Sequence, residues 1–255
     1  MLKKLNNLEI YKKGLFFLSL GGIGEIGANC YLYGCDGKWI MIDLGVSFAD
    51  EKHPGIDLLV PKIDFIEEIR DDLVAIIISH GHEDHAGAVA FFADKIKCPV
   101  YATSFAKLLI ENRLKEFGKL ENIKLIELNT KKNLKLDNFN IKFFETTHSI
   151  PEPNAIVLDT SYGKLLHTAD WKIDPSPTLG ENFKKEYFED IGNDGLLALI
   201  GDSTNAGIPG FSRSENEVKE ELKNIFSRYS NRIVVTCFSS NIARMINIIY
   251  AAKKK

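Results

Sequence analysis

Hydrophobic positions fall into short runs broken by Gly, Pro, Asn and Asp, a rhythm of strands and turns. Residues 14–20, 29–33 and 38–43 predict the first three strands, with Asp36-Gly37 as a tight hairpin turn. A helix is expected over 64–70. The unbroken run Leu73-Val74-Ala75-Ile76-Ile77-Ile78 predicts a strand, over residues 73–79, covered on both faces. Next come a helix over 86–92, a strand over 99–103 and a helix over 104–118, with Ser104 able to cap it and Gly118 to end it. Strands are expected over 123–128, 139–147, 155–159 and 164–168, and a buried one over 196–201. Ser214-Glu215-Asn216-Glu217 is a capping box opening a helix to about residue 227. A strand over 232–238 precedes an amphipathic helix over 240–255, with Ile242, Met245, Ile246 and Ile249 as its apolar stripe. Hairpins followed by alternating strands and helices predict an α/β (α+β) fold, a mixed sheet or sandwich covered by helices.

The chemistry sits where strands end. The 73–79 strand empties into His80-Gly81-His82-Glu83-Asp84-His85, three imidazoles and two carboxylates in six residues. On an extended chain His80 and His82 point to one side, while Asp84 and His85 can turn towards a second position. Glu83 falls on the opposite side. Neutral imidazole suits zinc, and mixed imidazole–carboxylate sets suit zinc or manganese. Four donors from one hexapeptide exceed what a single zinc needs from it; they suit two ions roughly 3.5–4 Å apart. His53 and His167 lack such a context and are read as ordinary surface or core side chains.

Composition narrows the picture. The chain has 255 residues, 45% of them hydrophobic and 26% charged, with a net charge of −3. This is an ordinary globular balance, and it exerts no global pull on nucleic acid. No run approaches the roughly 18 apolar residues of a membrane span, and no signal peptide is recognisable. Cys30, Cys35, Cys98 and Cys237 lack C-x-x-C spacing and read as free thiols of a cytoplasmic protein. Gly22-Ile23-Gly24-Glu25-Ile26-Gly27, with Asp43 beyond, mimics a dinucleotide fingerprint. A β-rich stretch follows where that fingerprint needs a helix, so the glycines are expected to form a tight loop at the rim of the site. Basic and aromatic residues for nucleic acid are few: Lys172 beside Trp171, Arg213 and Arg244. Ser240 and Asn241, opening the last helix, are candidates for a phosphate contact.

The hexapeptide fits the H-x-H-x-D-H signature of the metallo-β-lactamase fold superfamily. Further stretches resemble the ribonuclease J group of its β-CASP nucleases: Gly21-Gly22-Ile23-Gly24-Glu25-Ile26-Gly27-Ala28-Asn29, Ile42-Asp43-Leu44-Gly45, Pro54-Gly55-Ile56-Asp57, Thr147-His148-Ser149-Ile150-Pro151, His167-Thr168-Ala169-Asp170-Trp171-Lys172-Ile173-Asp174 and Gly201-Asp202-Ser203-Thr204-Asn205-Ala206. The resemblance covers nearly the whole chain. It implies an αββα sandwich over residues 1–210, incomplete, and the start of a β-CASP domain over 211–255, with Glu215 at that domain's first acidic motif. It implies that His80, His82 and His148 hold one divalent metal ion and that Asp84, His85 and Asp170 hold a second, Asp170 bridging. Asp43 would orient a ligand imidazole from behind. The implied activity is hydrolysis of RNA phosphodiester bonds by a two-metal-activated hydroxide, Asp84 or Asp170 holding that hydroxide, with zinc or manganese as cofactor. A homo-oligomer, dimer or tetramer, is implied for the full-length protein. A late histidine and the pocket for the RNA 5′ phosphate, both used by the family, have no counterpart, His167 being the last histidine. The chain is therefore expected to be a fragment. Alternatives are a hydrolase of the same fold acting on a thioester, lactone or β-lactam, a non-catalytic RNA-binding or scaffold subunit, or an inactive truncation.

Overall fold

The structure is a computed structural model and describes residues 8–255. After a 3-10 turn at Leu8–Lys12 come β1 (Leu15–Gly21), β2 (Cys30–Cys35) and β3 (Lys38–Ile42). A small ribbon, β4 (Ser47–Phe48) and β5 (Leu58–Leu59), leads to α1 (Asp64–Glu68), β6 (Leu73–Ile78) and α2 (Glu83–Ala86). Then follow β7 (Val100–Ala102), α3 (Ser104–Glu116), a 3-10 turn and β8 (Leu125–Glu127). β9 (Leu134–Leu136), β10 (Phe139–Glu145), β11 (Asn154–Thr160) and β12 (Gly163–His167) precede α4 (Lys185–Asn193) and β13 (Ala198–Ile200). The chain ends in α5 (Glu215–Ser227) and α6 (Ile242–Lys254).

Two sheets form the centre, one ordered β1-β2-β3-β6-β7-β8 and the other β13-β12-β11-β10-β9. Alternation along β3 shows how they stack. Trp39 and Met41 join the apolar layer beneath the helices, whereas Ile40 and Ile42 join Ile141, Ile156 and Leu158 between the sheets. β6 does the same with Ile76 and Ile78 on one side and Ile77 on the other. Both faces of β6 are covered, which is why its sequence shows no polar alternation. Burying each such isoleucine contributes about 2–3 kcal/mol. On the far side α4 lays Ile191 and Phe188 over Ala155, Val157 and Leu166. Helix, sheet, sheet, helix is the sandwich the motifs implied.

Five local expectations differ from the structure. The helix expected over 86–92 is instead the single turn α2, begun three residues earlier. The carbonyls of Glu83, Asp84 and His85 accept from the backbone N–H groups of Val46, Asn29 and Leu44, and Ala88 N donates to Leu44 O at 3.0 Å, so the helical ladder is diverted into neighbouring loops. No strand forms over 232–238. Val234 and Phe238 stand exposed there, without a described strand alongside to complete a ladder. β13 is an edge strand with one neighbour, and Leu197 and Leu199 are exposed, not buried. In α6 the covered face is Ala243, Asn247 and Ala251, leaving Met245, Ile246 and Ile249 largely exposed. Small residues and the polar grip of Asn247 on Glu215 set that rotation. Capping also differs at α3, where Thr103 is the N-cap and Glu152 accepts from Phe105 N at 2.9 Å. Gly118 does take the left-handed conformation expected of it. Helix α4 was not anticipated.

Candidate metal centre

Strand register builds the site. β3 and β6 run parallel with Ile42 opposite Ile77, so the residues leaving their C-terminal ends meet. Asp43 N donates to Ile77 O at 2.9 Å, and Ser79 N donates to Asp43 Oδ1 at 2.8 Å. Asp43 is fully buried and takes a left-handed backbone (φ 63°) that aims its carboxylate back over the strand end. Beyond the ends of the second sheet's strands an isolated antiparallel bridge pairs Thr147 with Lys172. It brings His148, beyond β10, beside Asp170, beyond β12.

Ligand-type atoms converge in two groups. Nitrogen or oxygen atoms of His80, His82, His148 and Asp170 lie within 4.8 Å of one another, and so do those of Asp84, His85 and Asp170. Asp170 belongs to both. His80 Nε2 is 3.0 Å from His82 Nδ1, which is 3.1 Å from His148 Nε2. His85 Nε2 lies 3.2 Å from Asp170 Oδ1 and 3.6 Å from Asp84 Oδ2.

Hydrogen bonding behind these atoms decides which nitrogens are bare. Ser79 Oγ donates its one proton to Asp43 Oδ2 at 2.9 Å. His80 Nδ1, 3.0 Å from Ser79 Oγ, must then donate to that hydroxyl, leaving Nε2 as a lone pair. His85 Nδ1 donates to Asp43 Oδ2 at 2.7 Å, so in neutral His85 the bare Nε2 points at two carboxylates. Lone pairs and carboxylates aimed at common points repel unless a cation, or a proton on His85, lies among them. This donor set fits divalent metal ions.

Charge states follow from burial and partners. Burial, with the neighbouring imidazoles, holds His80 and His82 below the ordinary histidine value and His148 down at about 4. His85 departs the other way. Burial opposes its charge, but Asp43 and Asp170 override that and raise it. Asp170 is brought down to about 2 despite burial, chiefly by its hydrogen bond to His85.

A cleft of about 620 Å³ opens beside the second group, walled by the 22–27 glycine loop, Tyr31 and residues 199–204. Glu25, Asp84, Asp170 and Asp202 line it without any Lys or Arg. An anionic substrate could enter only with added positive charge. The glycine loop is thus a wall of the site, with no helix behind it. Other expected contacts are spoken for. Lys172 pairs with Asp174 and Glu215, Arg244 with Glu215, and Arg213 with Glu217 and Glu221. At the start of α6, Ile242 N, Ala243 N and Arg244 N donate to Ser240 O, Ser149 O and Asn241 Oδ1. Ser240 and Asn241 thus head a helix whose first amides already donate within the protein.

Two supporting residues escaped sequence reasoning. Ser79 links Asp43 to His80. Asn29 Nδ2 donates to Asp84 O at 3.0 Å and lies 3.1 Å from His85 Nε2, and Tyr31 OH steadies Asn29 from behind. A serine next to a histidine cluster and an asparagine closing a glycine loop carry no signal strong enough to single them out. His167 is buried as expected of a core residue, with Nδ1 2.9 Å from Tyr33 OH.

Three of the four cysteines are buried, while Cys237 is exposed. Among the described residues no helix is long and apolar enough to cross a membrane.

Comparison with known proteins bears on this centre. The chain is 41% identical over 243 residues to ribonuclease J of Sinorhizobium meliloti, covering 94% of this chain and 43% of that one. It is 35% identical to ribonuclease J of Thermus thermophilus (93% and 43%) and 34% identical to ribonuclease J2 of Bacillus subtilis (92% and 42%). The chain therefore spans less than half the length of these curated relatives. A solved Enterococcus faecalis protein of unknown function shares the fold, with a TM-score of 0.66 at 18% identity over 92% of this chain and 63% of that one. The family model described as the metallo-beta-lactamase superfamily matches residues 23–181, a span that holds every converging side chain above, and the chain belongs to that superfamily.

Proposed function

We propose that this chain forms the metal-binding part of a ribonuclease that hydrolyses RNA phosphodiester bonds. The observation that carries the reading is the pair of donor groups sharing Asp170, set in a chain similar throughout to ribonuclease J. His80, His82, His148 and Asp170 would hold one divalent ion, and Asp84, His85 and Asp170 the other. Such ions, zinc or manganese, supply an activated water near neutral pH and neutralise charge on the reacting phosphate.

The chain's own residues do the rest. Asp43 and Ser79 keep the Nδ1 protons of His80 and His85 away from the centre. Asn29 orients Asp84, and Asp84 and Asp170 present the carboxylates that hold the attacking water in place. The acid-lined cleft admits phosphate only where the ions offset its charge. Residues 1–210 would be the metallo-β-lactamase domain and 211–255 part of a β-CASP domain. RNA as partner, a homo-oligomer of the full-length protein and a cytoplasmic location belong to the same reading.

Metal analysis should find about two ions per chain, and Asp170→Ala should lose both. Full-length protein should cleave 5′-monophosphorylated RNA and leave a chromogenic lactam and a thioester intact. A folded His82→Ala or Asp170→Ala variant that still cut RNA at the original rate would sink the reading.

A further inference from the structure

Between His148 and the start of β11 the chain passes through Pro151-Glu152-Pro153. Glu152 holds a left-handed backbone there, with φ 58°. A residue with a side chain adopts that conformation at a cost, and one that precedes proline is pushed towards extended angles instead. Such strain persists only where the surroundings fix it.

Three contacts fix it. Thr146 N donates to Pro153 O at 2.9 Å, closing the loop 147–152 directly beyond the β10–β11 ladder. Asn154 Nδ2 donates to Glu152 O at 2.7 Å. The Glu152 carboxylate then reaches across to α3, which follows β7 of the other sheet, and Oε2 accepts from Phe105 N at 2.9 Å. Helix α3 needs that acceptor. Its N-cap, Thr103, makes no side-chain capping bond, and Thr103 Oγ1 has no partner among the described residues. A carboxylate at this end also suits the helix dipole.

The first turns of α3 rest on the backbone between His80 and His82. A Cβ added to Gly81 would lie 2.9 Å from Leu109 Cδ1 and 3.3 Å from Ala106 Cα. One end of α3 is therefore set against the hexapeptide, and the same end is held by the loop that carries His148. His148 Nε2 lies 3.1 Å from His82 Nδ1. The two rings come from opposite sheets, so their spacing is set by whatever ties the loops of those sheets together.

We propose that Glu152 is a positioning residue of the first donor group, its carboxylate on α3 setting His148 at the distance from His80 and His82 that a shared ion needs. The proposal rests on the metal reading for its use, though its geometry stands without it. Glu152 is itself exposed and lies outside both donor groups. The other flank of the loop is tied separately, by the Thr147–Lys172 bridge and by Ala243 N on Ser149 O at 3.1 Å. Losing Glu152 should therefore loosen His148 without releasing it.

Two substitutions in the whole chain separate positioning from scaffolding, with zinc alone as the probe. Glu152→Gly removes the carboxylate but relieves the left-handed strain, so the urea midpoint should hold. Zinc affinity should nevertheless fall roughly 10-fold, the low end of what losing a supporting contact costs a metal site. Glu152→Gln keeps an acceptor oxygen for Phe105 N and should bind zinc as the parent does. In the zinc-free chain the His148 ring signals should shift and broaden with glycine but not with glutamine, while those of His85 hold still in both. Unchanged affinity and unchanged His148 signals in Glu152→Gly overturn the proposal. So does an affinity loss that only accompanies a lowered urea midpoint, or a glutamine variant no better than the glycine one. A parent chain that takes up no zinc, with His148 signals that still respond to Glu152→Gly, leaves the contact standing and refutes the metal reading instead.

Discussion

The two sides of the metal centre are held by different means. His80 and His85 are supported from the ends of adjacent parallel strands, where one buried carboxylate, Asp43, serves Ser79 and His85 at once. His82 and His148 depend on partners far along the chain: the Thr147–Lys172 bridge, Ser149, and the turn before α6. The first kind of support is as rigid as the sheet. The second is as rigid as the packing of α5 and α6, whose outer faces stay exposed. One half of the centre should therefore persist under stress that loosens the other.

Removing Asp43 attacks the rigid side most directly. Asp43→Ala leaves Ser79 and His85 without acceptors in a dry site and puts alanine at a left-handed position. We expect a loss of about 3–5 kcal/mol in urea unfolding and no measurable zinc uptake. Gly45→Ala should come next. A Cβ there would lie 1.7 Å from Asp84 O and 2.0 Å from Asp84 C, so α2 and its two ligands must move. A cost of about 3 kcal/mol, together with altered metal spectra, is expected.

Glu215→Ala probes the other side. It takes the carboxylate from Arg244 and Lys172, and about 2 kcal/mol is expected. Hydrogen exchange should rise in α5 and α6 while β3 and β6 stay protected; equal loss of protection in β6 would show that the two sides are one cooperative unit. Smallest of all, Leu199→Ala on the exposed edge strand should cost less than about 0.5 kcal/mol, whereas Ile77→Ala between the sheets should cost about 2–5 kcal/mol.

Much of this was readable in advance where the signal was local and periodic. The run over β6, the Asp36-Gly37 turn and the Ser214 cap each became what their residues predict, since turn chemistry and burial on both faces act over a few positions. Ser214 Oγ accepts from Asn216 N as a cap should. Glu217, its expected reciprocal partner, has turned to Arg213. Errors gathered where a segment's fate depends on its neighbours. Leu196 to Leu199 read as core but lie on an edge. The α6 stripe read as buried but faces outwards, because the small Ala243 and Ala251 and the hydrogen bond from Asn247 to Glu215 turn the opposite face inwards.

The sequence by itself determined that strand ends would carry a metal-binding cluster: three histidines and an aspartate packed into His80–His85 have no use in a core, and burying them unpaired costs too much. Only tertiary structure decided how His148 and Asp170 join them, since that needs a second sheet stacked on the first and a bridge between residues 25 positions apart. It also decided which nitrogens of His80 and His85 are bare, because a tautomer is set by the group behind the ring, here Ser79 or Asp43. Distance along the chain carries no information about which of these will stand there.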